Sequence, residues 1–157
     1  MVQSSLDTYQ KIYTKILNFL SYKPRSEKEI INRLKKYSAS EEIEQKILQS
    51  LETDGYVNDK NIIQMFIQSY LSSPKTKSLI SLKQTLVKKG FNNEDIKAAL
   101  EEVPPQAEEK KVLKDAQKKL RSLGKEPILQ KKRKLQDYLY RKGYNPKAIK
   151  AVVDSLL

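Results

Sequence analysis

Acid–base chemistry in this chain would fall to carboxylates that come in adjacent pairs: Glu41-Glu42, Glu101-Glu102 and Glu108-Glu109. General acid–base work needs groups that converge on one point with shifted pKa values. Adjacent residues of a helix do not face one another. Each pair instead falls at the end of a helical segment, the first and last near a helix N-terminus, where the macrodipole favours acid. Helix-end electrostatics is the reading these pairs support. The chain has no histidine and no cysteine, which excludes histidine-dependent triads, thiol nucleophiles, disulfides and zinc-finger spacings. Its four glycines are isolated, so there is no Gly-rich phosphate loop. We expect no enzyme, no metal and no cofactor.

The abundant chemistry is cationic. Lysine and arginine number 31 against 19 acids, a formal net charge of +12, which points to a polyanionic partner or an acidic protein surface. The charge is uneven: between Lys110 and Lys150 the acids are Asp115, Glu126 and Asp137 alone. Lys131-Lys132-Arg133-Lys134 spans just over one helical turn, so the run cannot occupy a single face. Tyr138, Tyr140 and Arg141 follow, so aromatic and cationic groups share one helix, as single-strand binders often arrange them. Residues two apart point different ways, which puts Tyr138 partly in a core and leaves Tyr140 exposed. A solvated face with no ligand is the competing reading. The candidates for contact with a partner or with DNA are Lys131, Lys132, Arg133, Lys134, Arg141 and Lys142, with Lys83, Lys88 and Lys89 secondary.

What must position these groups is a repeated helical hairpin. Leu82–Leu100, LKQTLVKKGFNNEDIKAAL, returns as Leu135–Val153, LQDYLYRKGYNPKAIKAVV. Each copy reads as a helix, a glycine stop, an asparagine start and a second helix. A third copy lies upstream, aligning Leu34 with Leu86 and Ile43 with Ile96 after deletion of one residue. Repeats of this period indicate stacked modules.

Taken in order, Ile12, Ile16, Leu17 and Leu20 fall at helical spacing over about Leu6–Tyr22, and Pro24 ends that helix. Ser26-Glu27-Lys28-Glu29 forms a capping box for a helix carrying Ile30, Ile31, Leu34 and Tyr37. Ser40 starts a third, with Ile43, Ile47, Leu48 and Leu51 inward, ending near Asp54-Gly55. Asn58-Asp59 caps the next, striped by Ile62, Ile63, Phe66, Ile67 and Tyr70 and broken at Ser72-Ser73-Pro74. Leu79, Leu82 and Leu86 rebuild a stripe up to Gly90, a glycine placed just past a helix end, and Asn92 or Asn93 caps the helix after it. Val103-Pro104-Pro105 is the best linker. Val112, Leu113, Ala116 and Leu120 then form a stripe that Gly124 ends, Pro127 opens a further helix, and Asn145-Pro146 starts the last, which carries Ile149, Val152, Val153 and Leu156. Sustained alternation is absent, so no sheet is expected. The expected fold is all-α: three tandem three-helix repeats, residues 1–56, 57–104 and 105–157, in an elongated array with room to curve. No apolar run approaches the roughly 20 residues of a membrane span, and MVQSSLDTYQ lacks the pattern of a signal peptide. A cytoplasmic monomer is the expectation.

The residues now resemble a known family. Leu51-Glu52-Thr53-Asp54-Gly55-Tyr56-Val57-Asn58-Asp59, Leu86-Val87-Lys88-Lys89-Gly90-Phe91, and Arg141-Lys142-Gly143-Tyr144 with Ile149 are similar to the signatures of RecX, the bacterial regulator of the RecA recombinase. The likeness runs from about Thr14 to Leu156. It implies three-helix repeats and a cytoplasmic protein that lies in the groove of the RecA–DNA filament. It also implies suppression of ATP hydrolysis, filament growth and strand exchange, and contact with single- or double-stranded DNA. Where the family commonly carries arginines in the first helix of its second repeat, this chain has Gln68 and Tyr70, which shifts the expected contacts toward the third repeat. Ile62-Ile63 and Ser78-Leu79 stand where the family has Phe-Ala and Gly-Pro. Two other readings are a nucleic-acid-binding module acting without RecA and a helical scaffold for another protein.

Overall fold

The computed structural model describes residues 2–157, with side chains from Ser5 onward. Among the described residues there are nine helices and no strand: α1 (Val2–Tyr22), α2 (Glu27–Lys35), α3 (Glu41–Thr53), α4 (Asp59–Ser72), α5 (Leu79–Lys88), α6 (Asn93–Glu101), α7 (Pro105–Leu123), α8 (Ile128–Arg141) and α9 (Pro146–Leu156). The chain divides into two compact units, Met1–Phe66 with Leu86–Ile96 and Ile67–Thr85 with Lys97–Leu157. In the first, α1, α2 and α3 pack around Ile12, Ile16, Ile30, Leu34, Ile47 and Leu51. In the second, α7, α8 and α9 enclose Val112, Ala116, Leu135, Leu139, Tyr144, Ile149 and Val153.

Local sequence explains where the helices begin. Ser26 accepts from the Glu29 amide at 3.1 Å while Glu29 accepts from the Ser26 amide at 3.2 Å, completing the capping box. Ser40 caps α3, Asn92 rather than Asn93 caps α6, and Asn145 caps α9. Such a side chain satisfies an amide left orphaned in the first turn, a contribution of about 1 kcal/mol.

Three boundaries differ from the sequence expectation. α1 starts at Val2, not near Leu6, and Leu6 itself is 55% exposed. Tyr37 lies in the turn after α2, yet still packs on the first core. Val103-Pro104-Pro105, the expected linker, leads straight into α7. Pro104 is itself the N-cap of α7 and Pro105 its first residue, where a missing amide costs nothing.

The helix ends lock the modules. At Gly90 and Gly143 the backbone turns left-handed, φ 90° and 86°, so that amides beyond the helix return to its last carbonyls. Phe91 donates to the Leu86 carbonyl and Tyr144 to that of Leu139. In the first unit the buried Ser26 hydroxyl donates to the Lys89 carbonyl, and Lys28 lies directly over Gly90. In the second, Ser78, also buried, lies over Gly143 with Ile80. Ser26 and Ser78 are equivalent positions of successive repeats, as are Lys28 and Ile80. The same joint is used twice.

A side chain at Gly90 would lie 2.9 Å from Lys28 Cβ, whereas one at Gly55, also left-handed, would meet nothing within 4 Å. Gly55→Ala should therefore cost only the backbone term, about 1–2 kcal/mol. Gly90→Ala should cost that plus about 1–3 kcal/mol of overpacking. Urea midpoints followed by circular dichroism check the order; equal losses would remove the joint as the reason for glycine at 90.

Candidate partner and nucleic-acid interface

The run Lys131–Lys134 occupies the first half of α8, and the structure gives its members different surroundings. Arg133 is exposed and forms no ion pair among the described residues. Lys134 pairs with Glu126 at 2.8 Å and Lys132 with Asp154 at 3.8 Å, both at partly open positions. Lys131 is half-buried. Arg141 is exposed at the end of α8, its Nε donating to the Asp137 carbonyl at 3.3 Å. Lys83 and Lys88 are exposed on α5, while half-buried Lys89 lies 5.3 Å from the Phe66 ring centroid. Tyr138 is half-buried beneath the ammoniums of Lys119 and Lys142, and Tyr140 is 53% exposed. The two tyrosines are placed as their spacing implies.

Lys142 is tied down more firmly. Its ammonium donates to Asp115 Oδ2 at 2.6 Å, and the Tyr144 hydroxyl donates to the same oxygen at 2.7 Å. Asp115 is 3% exposed. Burial alone would push its carboxyl up, but hydrogen bonds from Lys142, Tyr144 and Thr76, with the charge of Lys142, outweigh that and hold it below the usual carboxylate range. Burial, reinforced by Asp115, pushes the Tyr144 phenol far above its ordinary value.

This network was not legible in the sequence. α7 buries Glu108, Lys111 and Asp115 beside Val112 and Ala116, while Leu113, expected in its stripe, is 36% exposed. Glu108 is thus more than a helix-end acid: it accepts from the Asn145 amide at 3.0 Å, holding the start of α9. Burial pushes its carboxyl up, and the Asn145 amide partly offsets this. Lys111 donates to the Ser73 and Lys75 carbonyls at 2.8 and 2.9 Å, and Lys114 donates to that of Pro74 at 2.9 Å. These ammoniums satisfy carbonyls at and just beyond the C-terminus of α4, the end that favours cations.

Two grooves in the second unit gather cations, among them Lys114 and Lys132, which are already engaged with the Pro74 carbonyl and with Asp154. One, of about 450 Å³, lies between the α4–α5 loop and α7, lined by Lys75, Lys77, Lys114, Lys118 and Arg121, with Asp115 its one acid. The other, of about 380 Å³, lies between α8 and α9, where Lys132, Lys147, Lys150 and Tyr140 face it with Asp154. The sequence candidates overlap the second groove at Lys132 alone; clustering in the fold brings in the others. No group of His, Cys, Asp or Glu among the described residues is arranged to hold a metal.

Comparison with known proteins bears on this arrangement. The family model for the first three-helix domain of RecX matches residues 13–51, and that for the third matches residues 107–153. The chain is 33% identical to the regulatory protein RecX of Oceanobacillus iheyensis over 150 residues, covering 96% of this chain and 55% of that protein. It is 31% identical to the RecX of Bacillus cereus strain B4264 over 147 residues, covering 94% of this chain and 54% of that protein. It thus spans about half the length of the curated relatives it matches. In fold it is similar to the crystal structure of RecX from Lactobacillus salivarius, with TM-score 0.87 and 24% identity over 96% of this chain and 97% of that one. A second crystal structure of regulatory protein RecX gives TM-score 0.79 and 26% identity over 96% and 74%.

Paired cations should behave differently according to burial. Asp115→Ala should cost about 1–3 kcal/mol, because it leaves the buried Tyr144 phenol without its acceptor, whereas Glu126→Ala, where the acid is itself partly open, should cost under about 1 kcal/mol. Tyr144 contributes fully below its ordinary pKa of about 10, and that contribution is lost as pH rises toward the folded value. Tyr144→Phe should therefore cost about 1 kcal/mol at neutral pH and flatten the alkaline fall in stability. Urea midpoints at neutral pH and at about pH 11 check both; an unchanged alkaline slope would contradict the Tyr144 assignment.

Proposed function

The chain belongs to the RecX family, and from that premise we propose that it regulates the RecA recombinase by binding the RecA–DNA filament. On this reading it restrains ATP hydrolysis, filament extension and strand exchange, and so acts in recombination, DNA repair and the SOS response as a cytoplasmic monomer. The modules are the repeats 1–56, 57–104 and 105–157, with Lys131, Lys132, Arg133, Lys134, Arg141 and Lys142 as the principal contacts and Lys83, Lys88 and Lys89 as secondary ones.

The observation that carries the reading is the concentration of cations on the third repeat beyond what its own acids pair. Three lysines and an exposed tyrosine face the α8–α9 groove, with Asp154 its one acid. Cations in excess of structural need suit a polyanionic filament, since each phosphate engaged releases condensed counterions. The chain acts on RecA rather than on a substrate of its own.

A second reading has one specific observation in its favour. Tyr140, exposed among the lysines of that groove, is suited to stack a base, which would let the chain bind nucleic acid without RecA.

Added to RecA on single-stranded DNA, the chain should lower ATP turnover at near-stoichiometric amounts; unchanged turnover would remove the inhibitory claim. Reversing Arg133 and Arg141 to Glu should weaken inhibition about tenfold or more, on the order of 1 kcal/mol for each phosphate no longer engaged, with helix content unchanged by circular dichroism. DNA affinity that is equal with and without RecA, and that falls steeply with salt, would favour the second reading.

A further inference from the structure

The first unit carries a cationic, aromatic groove of its own. It measures about 580 Å³ and is lined by Lys15, Phe19 and Tyr22 of α1, by Arg25 and Arg33, and by Tyr37. No carboxylate lines it. The sequence candidates lie elsewhere because these residues come from three separate segments, none of them a basic run.

The cations here are held rather than loose. The Arg25 guanidinium carbon lies 4.1 Å from the Phe19 ring centroid and that of Arg33 lies 4.9 Å from the same centroid. Arg33 Nε donates to the Tyr37 hydroxyl at 3.2 Å, and Lys15 lies 5.2 Å from the Tyr37 centroid. Stacking fixes the plane of a guanidinium, which leaves its edge donors pre-oriented. Against one ring, two guanidiniums also repel one another. Glu29 reaches Arg25, at 3.4 Å, while its other oxygen accepts from the Ser26 amide. Arg25 Nε is buried with no acceptor among the described residues. Beside these cations, Tyr22 is 83% exposed at the end of α1, although exposed large aromatics gain nothing for the fold.

We propose that this groove binds one nucleotide step of a single-stranded nucleic acid, the phosphate against Arg25 and Arg33 and the neighbouring base stacked on Tyr22. Planar, pre-oriented forks match a phosphate's oxygens bidentately, and a ring open to solvent offers a face to a base of any identity. An acidic peptide would satisfy the cations but has no use for Tyr22, which decides between the two occupants. The site lies outside the residues assigned to RecA regulation, and its test omits RecA, so either idea can fail alone.

The test uses the full chain and a fluorescein-labelled deoxythymidine oligonucleotide, read by fluorescence anisotropy at low salt. Tyr22→Ala should weaken binding about fivefold or more, and Arg33→Lys, which keeps the charge but loses the fork, should also weaken it. Tyr22 is too exposed for its loss to unfold the chain, and circular dichroism verifies that for both variants. An oligonucleotide carrying 5-iodouracil should photo-crosslink to Tyr22. Parental affinity in both variants would overturn the proposal. So would a crosslink that maps to Tyr140 alone, or equal competition by poly-glutamate that Tyr22→Ala leaves unchanged.

Discussion

The fold depends on a contact between the start of one helix and the end of another. A serine that caps a helix in one repeat is buried at the end of a helix in the next: Ser26 against the Lys89 carbonyl, one residue before left-handed Gly90, and Ser78 against left-handed Gly143. One side chain meets two demands there: its hydroxyl accepts the orphan amide of its own first turn, and at Ser26 it also donates to the Lys89 carbonyl. Buried backbone groups must find partners, so little freedom of register remains. Apolar packing supplies the bulk of the stabilisation, while the joint decides which turn of one module meets which turn of the next.

That joint accounts for what the sequence made legible. It and the other helix boundaries rest on short-range signals: a Ser-x-x-Glu box at Ser26, Asn-Pro before α9, and a glycine after a basic last turn. Each acts within four residues of itself, so its effect can be read without knowing the tertiary structure. The apolar stripes were equally readable wherever the buried face was purely apolar, as in α3 and α9.

α7 shows where reading stops. Its buried face runs through Glu108, Lys111, Val112, Asp115 and Ala116, at faithful helical spacing. Three of those five are charged, and charge ordinarily marks the solvated side. Their partners, Asn145, Ser73, Lys142 and Tyr144, lie far away in the chain. Nothing local announces a buried ion pair, so apolar character alone draws Leu113 into the stripe in their place. Likewise the groove around Phe19 gathers cations that stand singly in the sequence, whereas the eye goes to runs.

Cations in this chain therefore serve two ends. Lys111 and Lys114 tie the third repeat to the segment before it and Lys142 pairs with Asp115 within it, while Arg133, Lys147 and Lys150 face outward. Ionic screening acts strongly on the second set and weakly on the first, which is short-range and partly enclosed. The serine–glycine joint is made by neutral groups and, over Gly90, by the aliphatic stem of Lys28. A polyanion held on the outer surface, as proposed, would thus leave at raised ionic strength with the serine–glycine joints intact, so letting go of such a ligand requires no loosening of the architecture beneath it.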